Sequence, residues 1–212
     1  MFSTRSLIDP LVISILQRFS PSNLFDYGCG DAVLSKKIKN LGYSIKGFDI
    51  DNSLIQKLKC ESKTKEFLNQ KEFFREKEKL IDTFDFVLCS LVLCIVNNEN
   101  EVQNIIQTCY NLLRKKGIFI LVICNPLYTW VEQTEIQNKI LPENFRYDSK
   151  FLIQKEIKLS GNLREDVHRP LHYYEKIILE NNFEIKEFHQ TKGKDCKTGK
   201  FASDFLLLLC TK

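Results

Sequence analysis

The chain has 212 residues, of which 43% are hydrophobic and 27% charged, and its formal net charge is +4. This length and composition predict one globular domain that buries roughly 70% of the surface exposed by its unfolded chain. No apolar run is long enough to cross a bilayer, and the first residues lack the apolar core of a signal peptide, so we expect a cytoplasmic protein without a membrane partner. A basic stripe interleaved with aromatic residues is missing, which disfavours nucleic acid as a partner.

The eight cysteines show no spacing typical of a metal site. Four of them, Cys89, Cys94, Cys124 and Cys210, lie in apolar strand-like runs, and Cys109 lies in a helical pattern. Free cysteines behave as small buried hydrophobes, and disulfides are rare in the cytosol. We therefore expect free thiols, and neither disulfides nor a bound metal.

Strand and helix patterns alternate through the first part of the chain. Asp9-Pro10 predicts the start of a helix, because aspartate is a good N-cap and proline fits the first helical turn. Further elements are predicted as strands at 23–27, 44–50, 64–68, 84–92 and 117–124, and as helices at 31–41, 53–60 and 99–113. The rest of 61–80 is ambiguous. Continuous apolar strands separated by helices indicate an α/β fold with a parallel sheet covered on both faces.

The pattern changes after Pro126. Residues 127–165 are rich in aromatic and charged side chains, and weak alternation around 145–160 suggests a hairpin or lid. We expect this segment to be an insertion within the single domain of residues 1–212. A helix is predicted at 169–181, and strands are predicted at 183–189 and 201–210. The loop between these two strands is too short for a crossover helix, so the last strand should be antiparallel.

The most informative pattern is a glycine turn after the first strand. The sequence Asp26-Tyr27-Gly28-Cys29-Gly30 ends that strand, and Asp49 ends the second strand. Glycines allow a close backbone approach to a ligand, and an acidic strand end can hold both hydroxyls of a ribose. Val33 stands where a dinucleotide site has its third glycine, and no Gly-Lys-Ser/Thr phosphate loop occurs. The remaining nucleoside ligand with this geometry is S-adenosylmethionine.

Four segments resemble class I S-adenosylmethionine-dependent methyltransferases of the small-molecule (methyltransferase-11/12-like) type. They are residues 26–30 of the glycine turn, 47–51 at the ribose-binding strand end, 84–93 of the fourth strand and 112–117 before the fifth strand. The resemblance covers 5–125 strongly and 168–212 more loosely. It implies a Rossmann-like, seven-stranded and mostly parallel sheet of order 3-2-1-4-5-7-6, with strand 7 antiparallel, helices on its faces and the lid after strand 5.

The resemblance also implies which residues bind the cofactor. These are Asp26, Gly28, Cys29, Gly30, Asp49, Ile50, Ser90 and Leu91. The glycines would approach the methionine part, whose amino group Asp26 would orient. Asp49 would bind the ribose and Ile50 would lie beside the adenine, while Ser90 and Leu91 would lie near the methyl group.

Two positions depart from the family pattern. Ala32 stands where a third glycine often occurs, a change that slightly tightens the turn. The usual acidic tip of the third strand, which lies near the adenine, is not clearly present, and Asn69 or Gln70 is the candidate replacement.

The acceptor side is predicted from residues that precede the penultimate strand. His168, Arg169, Pro170 and Tyr174 are similar to a His-Arg-Pro-x-x-x-Tyr element that small-molecule methyltransferases often show. A neutral imidazole can accept a proton near neutral pH, so His168 is the candidate catalytic base. A structural, hydrogen-bonded histidine is the alternative. Arg169 and Tyr174 are candidate acceptor-binding residues.

The inserted segment is rich in aromatic residues. They are Tyr128, Trp130, Phe145, Tyr147 and Phe151. Aromatic faces are favourable for a cation, so these side chains would wall an acceptor pocket near a sulfonium. Tyr128 and Trp130 are the predicted acceptor contacts, and the alternative is a small core for the lid.

These observations predict a methyltransferase that uses S-adenosylmethionine, releases S-adenosylhomocysteine, holds no metal and acts as a monomer or homodimer. Its acceptor would be the oxygen or nitrogen of a small organic molecule. One alternative is a tRNA or protein methyltransferase, and another is a non-catalytic cofactor-binding partner subunit. A DNA-adenine methyltransferase is disfavoured, because Asn125-Pro126-Leu127 follows the fifth strand, whereas the Asn-Pro-Pro-Tyr element of those enzymes follows the fourth.

Overall fold

The computed structural model describes residues 3–62 and 65–212. Its helices are α1 (Thr4–Leu16), α2 (Val33–Lys39), α3 (Asn52–Ser62), α4 (Gln70–Leu80), α5 (Glu99–Leu112) and α6 (Leu171–Glu180). Its strands are β1 (Asn23–Tyr27), β2 (Ser44–Phe48), β3 (Phe67–Leu68), β4 (Phe84–Ser90), β5 (Leu113–Cys124), β6 (Gln137–Ile140), β7 (Phe151–Ile157), β8 (Asn162–His168), β9 (Glu184–Gln190) and β10 (Phe205–Thr211). A 3-10 turn at Pro126–Tyr128 follows β5.

Seven strands form one sheet of order β3-β2-β1-β4-β5-β10-β9. The first five strands pair in parallel, whereas β10 runs antiparallel to both β5 and β9. When the inserted strands are left out of the count, this is the order 3-2-1-4-5-7-6, so the predicted topology and the antiparallel last strand are confirmed. The inserted strands β6, β7 and β8 form a separate antiparallel sheet.

Helices cover both faces of the large sheet, as predicted. One buried apolar cluster joins the sheet to α4, α5 and α6, and a second joins it to α1, α2 and α3. The neighbouring residues Leu24 and Phe25 of β1 belong to different clusters, because successive side chains of a strand point to opposite faces. Burial of each such apolar side chain contributes about 1.5–3 kcal/mol to the stability of the fold. The packed sheet in turn fixes the positions of the strand ends that form the site.

The first helix begins earlier than the sequence predicts. Ser3 is its N-cap, and Ser3 and Ser6 exchange side-chain to backbone hydrogen bonds in a capping box. Pro10 lies inside the helix, and the buried Asp9 places its carboxylate 2.6 Å from Nζ of Lys37. The prediction of a helix start at Asp9 was wrong, because the reciprocal cap at Ser3 already satisfies the first N–H groups.

The ambiguous stretch 61–80 contains α4. Asn69 and Glu72 form a capping box at its start, but its buried side chains are only Phe73 and Leu80. So few apolar positions give a weak helical pattern, which explains why the sequence did not predict this helix. The strand β3 is two residues long, and its predicted start at Thr64 lies outside the described residues.

The inserted segment contains more strand than the weak alternation around 145–160 predicts. The hairpin β7–β8 lies later in the chain than expected, and β6 was not predicted. The final strand starts at Phe205 rather than at Phe201, which instead forms an isolated bridge with Lys194. Isolated pairs of this kind depend on the tertiary fold and carry no periodic pattern.

None of the helices in residues 3–62 and 65–212 combines the length and the apolar character that a bilayer crossing requires. Within the same residues, no group of three or more His, Cys, Asp or Glu side chains is placed to hold a metal ion. The eight cysteines are free thiols, and Cys60 and Cys196 are the exposed ones.

Candidate functional site

The glycine turn lies at the carboxyl ends of β1 and β2. The N–H groups of Gly28 and Cys29 both donate to the carbonyl of Phe48, at 2.8 and 2.9 Å, and this ties the turn to the end of β2. Gly28 and Gly30 have φ angles of +79° and +54°, which glycine adopts without strain. Ala32 also has a positive φ, of +55°, so the third turn position is left-handed even though it is not glycine.

The two glycines differ in the free space around them. A Cβ atom on Gly28 would lie far inside van der Waals contact with Cγ2 of Val92, so the turn packs tightly against the segment after β4. A Cβ atom on Gly30 would meet nothing within 4 Å. The turn is therefore closed at Gly28 and open at Gly30, where a ligand can approach the backbone.

Asp49 lies directly after β2 and faces the glycine turn. Its Oδ2 accepts a hydrogen bond of 2.7 Å from the N–H of Gly30, and its Oδ1 accepts one of 2.9 Å from the N–H of Asp51. A carboxylate offers about four acceptor positions, so two backbone N–H groups leave room for two hydroxyls. The next residue, Ile50, is 69% exposed and presents an apolar surface beside this carboxylate.

Asp26 is a buried carboxylate near the end of β1, 3% exposed. The hydroxyl of Ser35 donates to its Oδ2. Burial raises the pKa of Asp26 to about 6, the Ser35 hydrogen bond acts against this rise, and the charge of Asp49 adds to it. A buried carboxylate with so few partners is stabilised by a cation, and an ammonium group is a suitable one.

The other predicted cofactor residues surround the same edge of the sheet. Ser90 ends β4 and is partly buried; Leu91 follows with a φ of +60°, and its N–H donates to the carbonyl of Val122 at 2.8 Å. Cys29 lies inside the turn, where burial raises the pKa of its thiol and disfavours a nucleophilic thiolate. Asn69 follows β3 at this edge, with Oδ1 used as the cap of α4 and Nδ2 donating to Asn52.

A buried cavity of about 30 Å³ lies beside the end of β5. Its walls come from β5, the residues that follow it, the inserted sheet, Tyr174 of α6 and Asp204 before β10. The end of β8 contacts the segment after β4, since the N–H of Val167 donates to the carbonyl of Cys94 at 2.6 Å. The cavity therefore adjoins the segment that begins at Ser90 and Leu91.

His168 lines this cavity and has both ring nitrogens engaged. Nε2 lies 2.9 Å from the carbonyl oxygen of Tyr147, and Nδ1 lies 3.0 Å from Oγ1 of Thr129. A carbonyl only accepts, so Nε2 carries the proton and Nδ1 accepts from the threonine hydroxyl. Burial lowers the pKa of His168 despite the Tyr147 hydrogen bond, so the imidazole is neutral near pH 7.

Arg169 is bound mainly by the protein itself. Its side chain is 1% exposed, and its guanidinium donates to the carbonyls of Leu93 and Val96, at 3.0 and 2.6 Å, and to Glu99. Burial alone would raise the pKa of Glu99, but hydrogen bonds from Lys150, Tyr173 and Arg169 lower it to about 2. Arg169 therefore holds the segment after β4 against α6, and its predicted contact with the acceptor stays a prediction.

The remaining predicted acceptor residues are dispersed. Tyr174 is fully buried and lines the cavity, whereas the lining residues among the described ranges do not include Tyr128 or Trp130. Tyr128 packs against Phe201 with ring centroids 5.6 Å apart. Trp130 is 59% exposed, and its indole N–H donates to the carbonyl of Leu127. The aromatic set thus does not form one wall.

The other three aromatic residues of that set pack near His168. Phe145 lies 5.1 Å from the imidazole centroid and 5.3 Å from the ring of Phe151, and Tyr147 lies 5.8 Å from the imidazole. Phe145 and Tyr147 therefore pack against the imidazole, and Phe151 supports Phe145.

A family model for the methyltransferase domain matches residues 4–156, more than half of the chain. The chain belongs to the methyltransferase-domain family. No curated protein matches the sequence. S-adenosylmethionine, the cofactor that the glycine turn and the acidic end of β2 predict for this methyltransferase, is also the molecule bound in a solved methyltransferase of the same fold.

Solved structures share the fold of this methyltransferase. An S-adenosylmethionine-dependent methyltransferase from Mesorhizobium loti is 17% identical, with a TM-score of 0.67 over 96% of each chain. A glycopeptide N-methyltransferase complexed with S-adenosylmethionine is 10% identical, with a TM-score of 0.67 over 99% of this chain and 95% of that one. The 1,6-didemethyltoxoflavin-N1-methyltransferase of Burkholderia thailandensis is 13% identical, with a TM-score of 0.60 over 96% of this chain and 76% of that one.

The residues of the turn fit this cofactor. The free lone pairs of Asp49 suit ribose hydroxyls, and the open space at Gly30 admits a ligand against the backbone. The buried Asp26 suits the cofactor's ammonium group. Individual roles, including those of Cys29, Ile50, Ser90 and Leu91, stay predictions.

Asp26 should give the stability of the methyltransferase a distinctive pH dependence. The pKa of this carboxyl is 3.8 in the unfolded chain and about 6 in the folded one. Because the folded pKa is the higher one, its contribution to stability is complete at low pH and is lost as the pH rises through about 6. We therefore expect the difference in free energy of unfolding between Asp26→Asn and the wild type to shift in favour of the variant by about 2–3 kcal/mol as the pH rises from roughly 3.5 to 7. Urea unfolding of both cofactor-free proteins at several pH values in this range measures the difference. A difference in free energy of unfolding that does not change with pH would contradict the prediction.

The sequence did not predict most of the cavity lining. Gln137, Lys155, Asp166 and Asp204 are buried and Lys139 is partly buried, and these polar residues come from β6, β7, β8 and the segment before β10. Each of them looks like a surface residue in its local context, since charged side chains are rarely buried. Only Gln137 and Lys139 share a local signal, because their two-residue spacing places them on one face of a strand.

Proposed function

We propose that this methyltransferase transfers a methyl group to the oxygen or nitrogen of a small organic acceptor. The observation that carries the proposal is the cavity at the end of β5, which is lined mainly by polar side chains and partly walled by the inserted sheet β6–β8. A cavity closed by an inserted sheet accepts part of a small molecule more readily than a nucleic acid or a protein surface.

The likeness to an enzyme that methylates a small molecule supports the same proposal. The Burkholderia thailandensis enzyme is named for its transfer to N1 of 1,6-didemethyltoxoflavin. The glycopeptide N-methyltransferase shows that the same fold also serves larger acceptors. The fold is therefore compatible with several acceptors, and the small cavity beside the inserted sheet is what favours a small one.

The residues of this chain supply position rather than covalent chemistry. When bound, S-adenosylmethionine supplies an electrophilic methyl group. Asp49, Gly30 and Asp26 hold the donor, and the cavity holds the acceptor in line with the methyl group. Because both reactants are already positioned, the reaction step does not carry the entropy cost of bringing them together from solution. The inserted sheet keeps bulk water away, so the acceptor atom is less well solvated and more reactive.

His168 has a role consistent with the tautomer that its neighbours impose. Its Nδ1 lone pair accepts from the hydroxyl of Thr129, at 3.0 Å, and Nε2–H donates to the carbonyl of Tyr147. In this arrangement the imidazole orients the Thr129 hydroxyl, whose oxygen can in turn contact an acceptor. Direct removal of a proton by Nδ1 requires that Thr129 turn away, so the base role of His168 stays a prediction.

The proposal is tested with S-adenosylmethionine that carries a labelled methyl group. The wild-type protein is mixed separately with a small-molecule extract, the tRNA and the protein of the producing organism. We expect label in the small-molecule fraction, at a rate about tenfold or more above that of Asp49→Ala. Label in tRNA or protein would support the first alternative instead. Calorimetric cofactor binding without any transfer would support the non-catalytic partner subunit.

A further inference from the structure

The cavity beside β5 contains polar atoms that the fold leaves unpaired. Asn125 and Gln137 line it and are 2% and 1% exposed. Within residues 3–62 and 65–212, Nδ2 of Asn125 and Oε1 of Gln137 have no hydrogen-bond partner. A buried polar group without a partner costs about 1–3 kcal/mol, so two of them at one cavity indicate a place for a ligand.

The orientation of both side-chain amides follows from their other partners. Nε2 of Gln137 lies 2.5 Å from Oδ1 of Asp204, and a carboxylate oxygen accepts, so this atom is the nitrogen. Oδ1 of Asn125 accepts from the N–H of Leu127 at 3.1 Å, so the free atom of Asn125 is the NH₂ group. The cavity therefore offers a free donor at Asn125 and a free acceptor at Gln137.

Lys139 supplies a second donor next to them. Its Nζ donates to the carbonyl of Tyr128 at 3.1 Å and lies 3.9 Å from Oδ1 of Asp204, the oxygen that Gln137 also contacts. An ammonium group has three N–H bonds, so this environment leaves at least one for a ligand. Asn125 lies beside the same residue, because its backbone N–H donates to the carbonyl of Asp204 at 2.8 Å.

Each cationic side chain that lines the cavity has an acidic partner. Lys155 pairs with Asp166 and Lys139 faces Asp204; Arg169, which also lines the cavity, pairs with Glu99, which is not part of the lining. A charged ligand would add an uncompensated charge in a buried place, at a cost of several kcal/mol. The electrostatics therefore favour an uncharged ligand group.

We propose that this cavity binds an uncharged amide group of the acceptor, as found in a carboxamide, a lactam or a cyclic imide. Its carbonyl oxygen accepts from Nδ2 of Asn125 and Nζ of Lys139, and its N–H donates to Oε1 of Gln137. A carbonyl oxygen has two lone pairs and an amide nitrogen has one or two N–H bonds, so both of the unpaired side-chain atoms gain a partner. That the ligand is the methyl acceptor rests on the proposed function; the preference for an amide rests on the cavity alone.

The size of the cavity agrees with one functional group. About 30 Å³ of space holds roughly two water-sized groups, since each needs about 10–15 Å³. A carbonyl oxygen and its neighbouring N–H fill this space, and the rest of an acceptor lies outside it. The cavity then determines the chemical class of the acceptor and not its whole shape.

Three small probes test the proposal by ligand-observed NMR on the protein saturated with S-adenosylhomocysteine. They are 2-piperidone, which has a carbonyl and an N–H, N-methyl-2-piperidone, which lacks the N–H, and benzoate, which is an anion. We expect 2-piperidone to bind at least about tenfold more tightly than the other two, because the N-methyl compound leaves Gln137 unpaired. Equal or stronger binding of either other probe, or no binding of 2-piperidone, would overturn the proposal.

Variants separate the cavity from other binding places. Asn125→Asp keeps the acceptor for the Leu127 N–H but replaces the free NH₂ with oxygen, and Lys139→Met removes the second donor. We expect either change to weaken 2-piperidone binding about tenfold. Lys176→Met, on an exposed lysine of α6, should leave it unchanged. Thermal unfolding shows which variants are folded, and unchanged binding in a folded Asn125→Asp would reject the assignment.

Failure of this proposal can be told apart from failure of the proposed function. Binding of the probes is measured without methyl transfer, and cofactor binding is measured separately by calorimetry. Probe binding as expected together with label transfer only to tRNA or protein would reject the small-molecule function and leave the amide preference intact. Transfer to small molecules without the expected probe binding would do the reverse.

Discussion

Replacing Arg169 with alanine is expected to lower the free energy of unfolding by about 3–5 kcal/mol. The buried guanidinium donates to two backbone carbonyls, those of Leu93 and Val96, and pairs with Glu99. Its loss leaves two carbonyls without a donor and opens a void between the segment after β4 and α6. Denaturant unfolding monitored by circular dichroism measures the change, with the slope of the transition compared between the two proteins.

Two further variants make the Arg169 result interpretable. Arg146→Ala removes an exposed arginine whose acidic neighbour, Asp148, is as far away as 3.9 Å. We expect its free energy of unfolding to stay within about 0.5 kcal/mol of the wild-type value. Arg169→Lys should recover part of the loss, since lysine keeps the charge without the planar fork. A loss below about 1 kcal/mol in Arg169→Ala, together with weaker acceptor binding, would contradict the structural role and favour the predicted acceptor contact.

Replacing Asp49 with alanine is expected to weaken binding of S-adenosylhomocysteine about 10- to 100-fold. Hydrogen bonds to a charged group contribute about 1.5–3 kcal/mol, and the variant loses the acceptor of the ribose hydroxyls. The same carboxylate accepts the N–H of Gly30 at 2.7 Å, so its loss also loosens the turn. Titration calorimetry on the purified protein measures the affinity.

The neighbouring Asp51 provides a matched control for this prediction. Its carboxylate accepts from the N–H of Ser53 at 2.9 Å and of Leu54 at 3.2 Å, and therefore caps α3. Asp51→Ala should cost about 1 kcal/mol of stability and leave the cofactor affinity nearly unchanged. Asp49→Asn should bind with intermediate affinity, since it keeps an oxygen and loses the charge. Equal affinity in Asp49→Ala and the wild type would reject the ribose assignment.

The cofactor side of the fold was predictable because its signals are local. Strand, turn, helix and acidic strand end follow one another within residues 23–49, and each obeys a short-range rule. The apolar runs that build the parallel sheet are equally local, and the short link before β10 makes that strand antiparallel. Prediction from sequence fails where the local signals are weak, as in α4, which has only two buried side chains. It also fails where they compete, because Ser3 and Asp9 are both suitable caps for α1.

Arg169 and His168 show the limit of a motif. His168, Arg169 and Tyr174 of the His-Arg-Pro-x-x-x-Tyr pattern all line the cavity. The motif does not show that Arg169 is bound by Leu93, Val96 and Glu99, some seventy positions earlier in the chain. These partners depend on how the end of β8 packs against the segment after β4.

The sequence by itself determined the fold class and the strand order and indicated the methyl donor, since the residues predicted to bind the donor lie in two neighbouring segments. The tertiary structure alone decided the cavity beside β5. Asn125, Asp204 and the β6 pair Gln137 and Lys139 come from three segments, and nothing local to any one segment shows that it meets the other two. A polar side chain is unpaired only in relation to the whole fold, so the groups available to an acceptor become visible once every other partner has been placed.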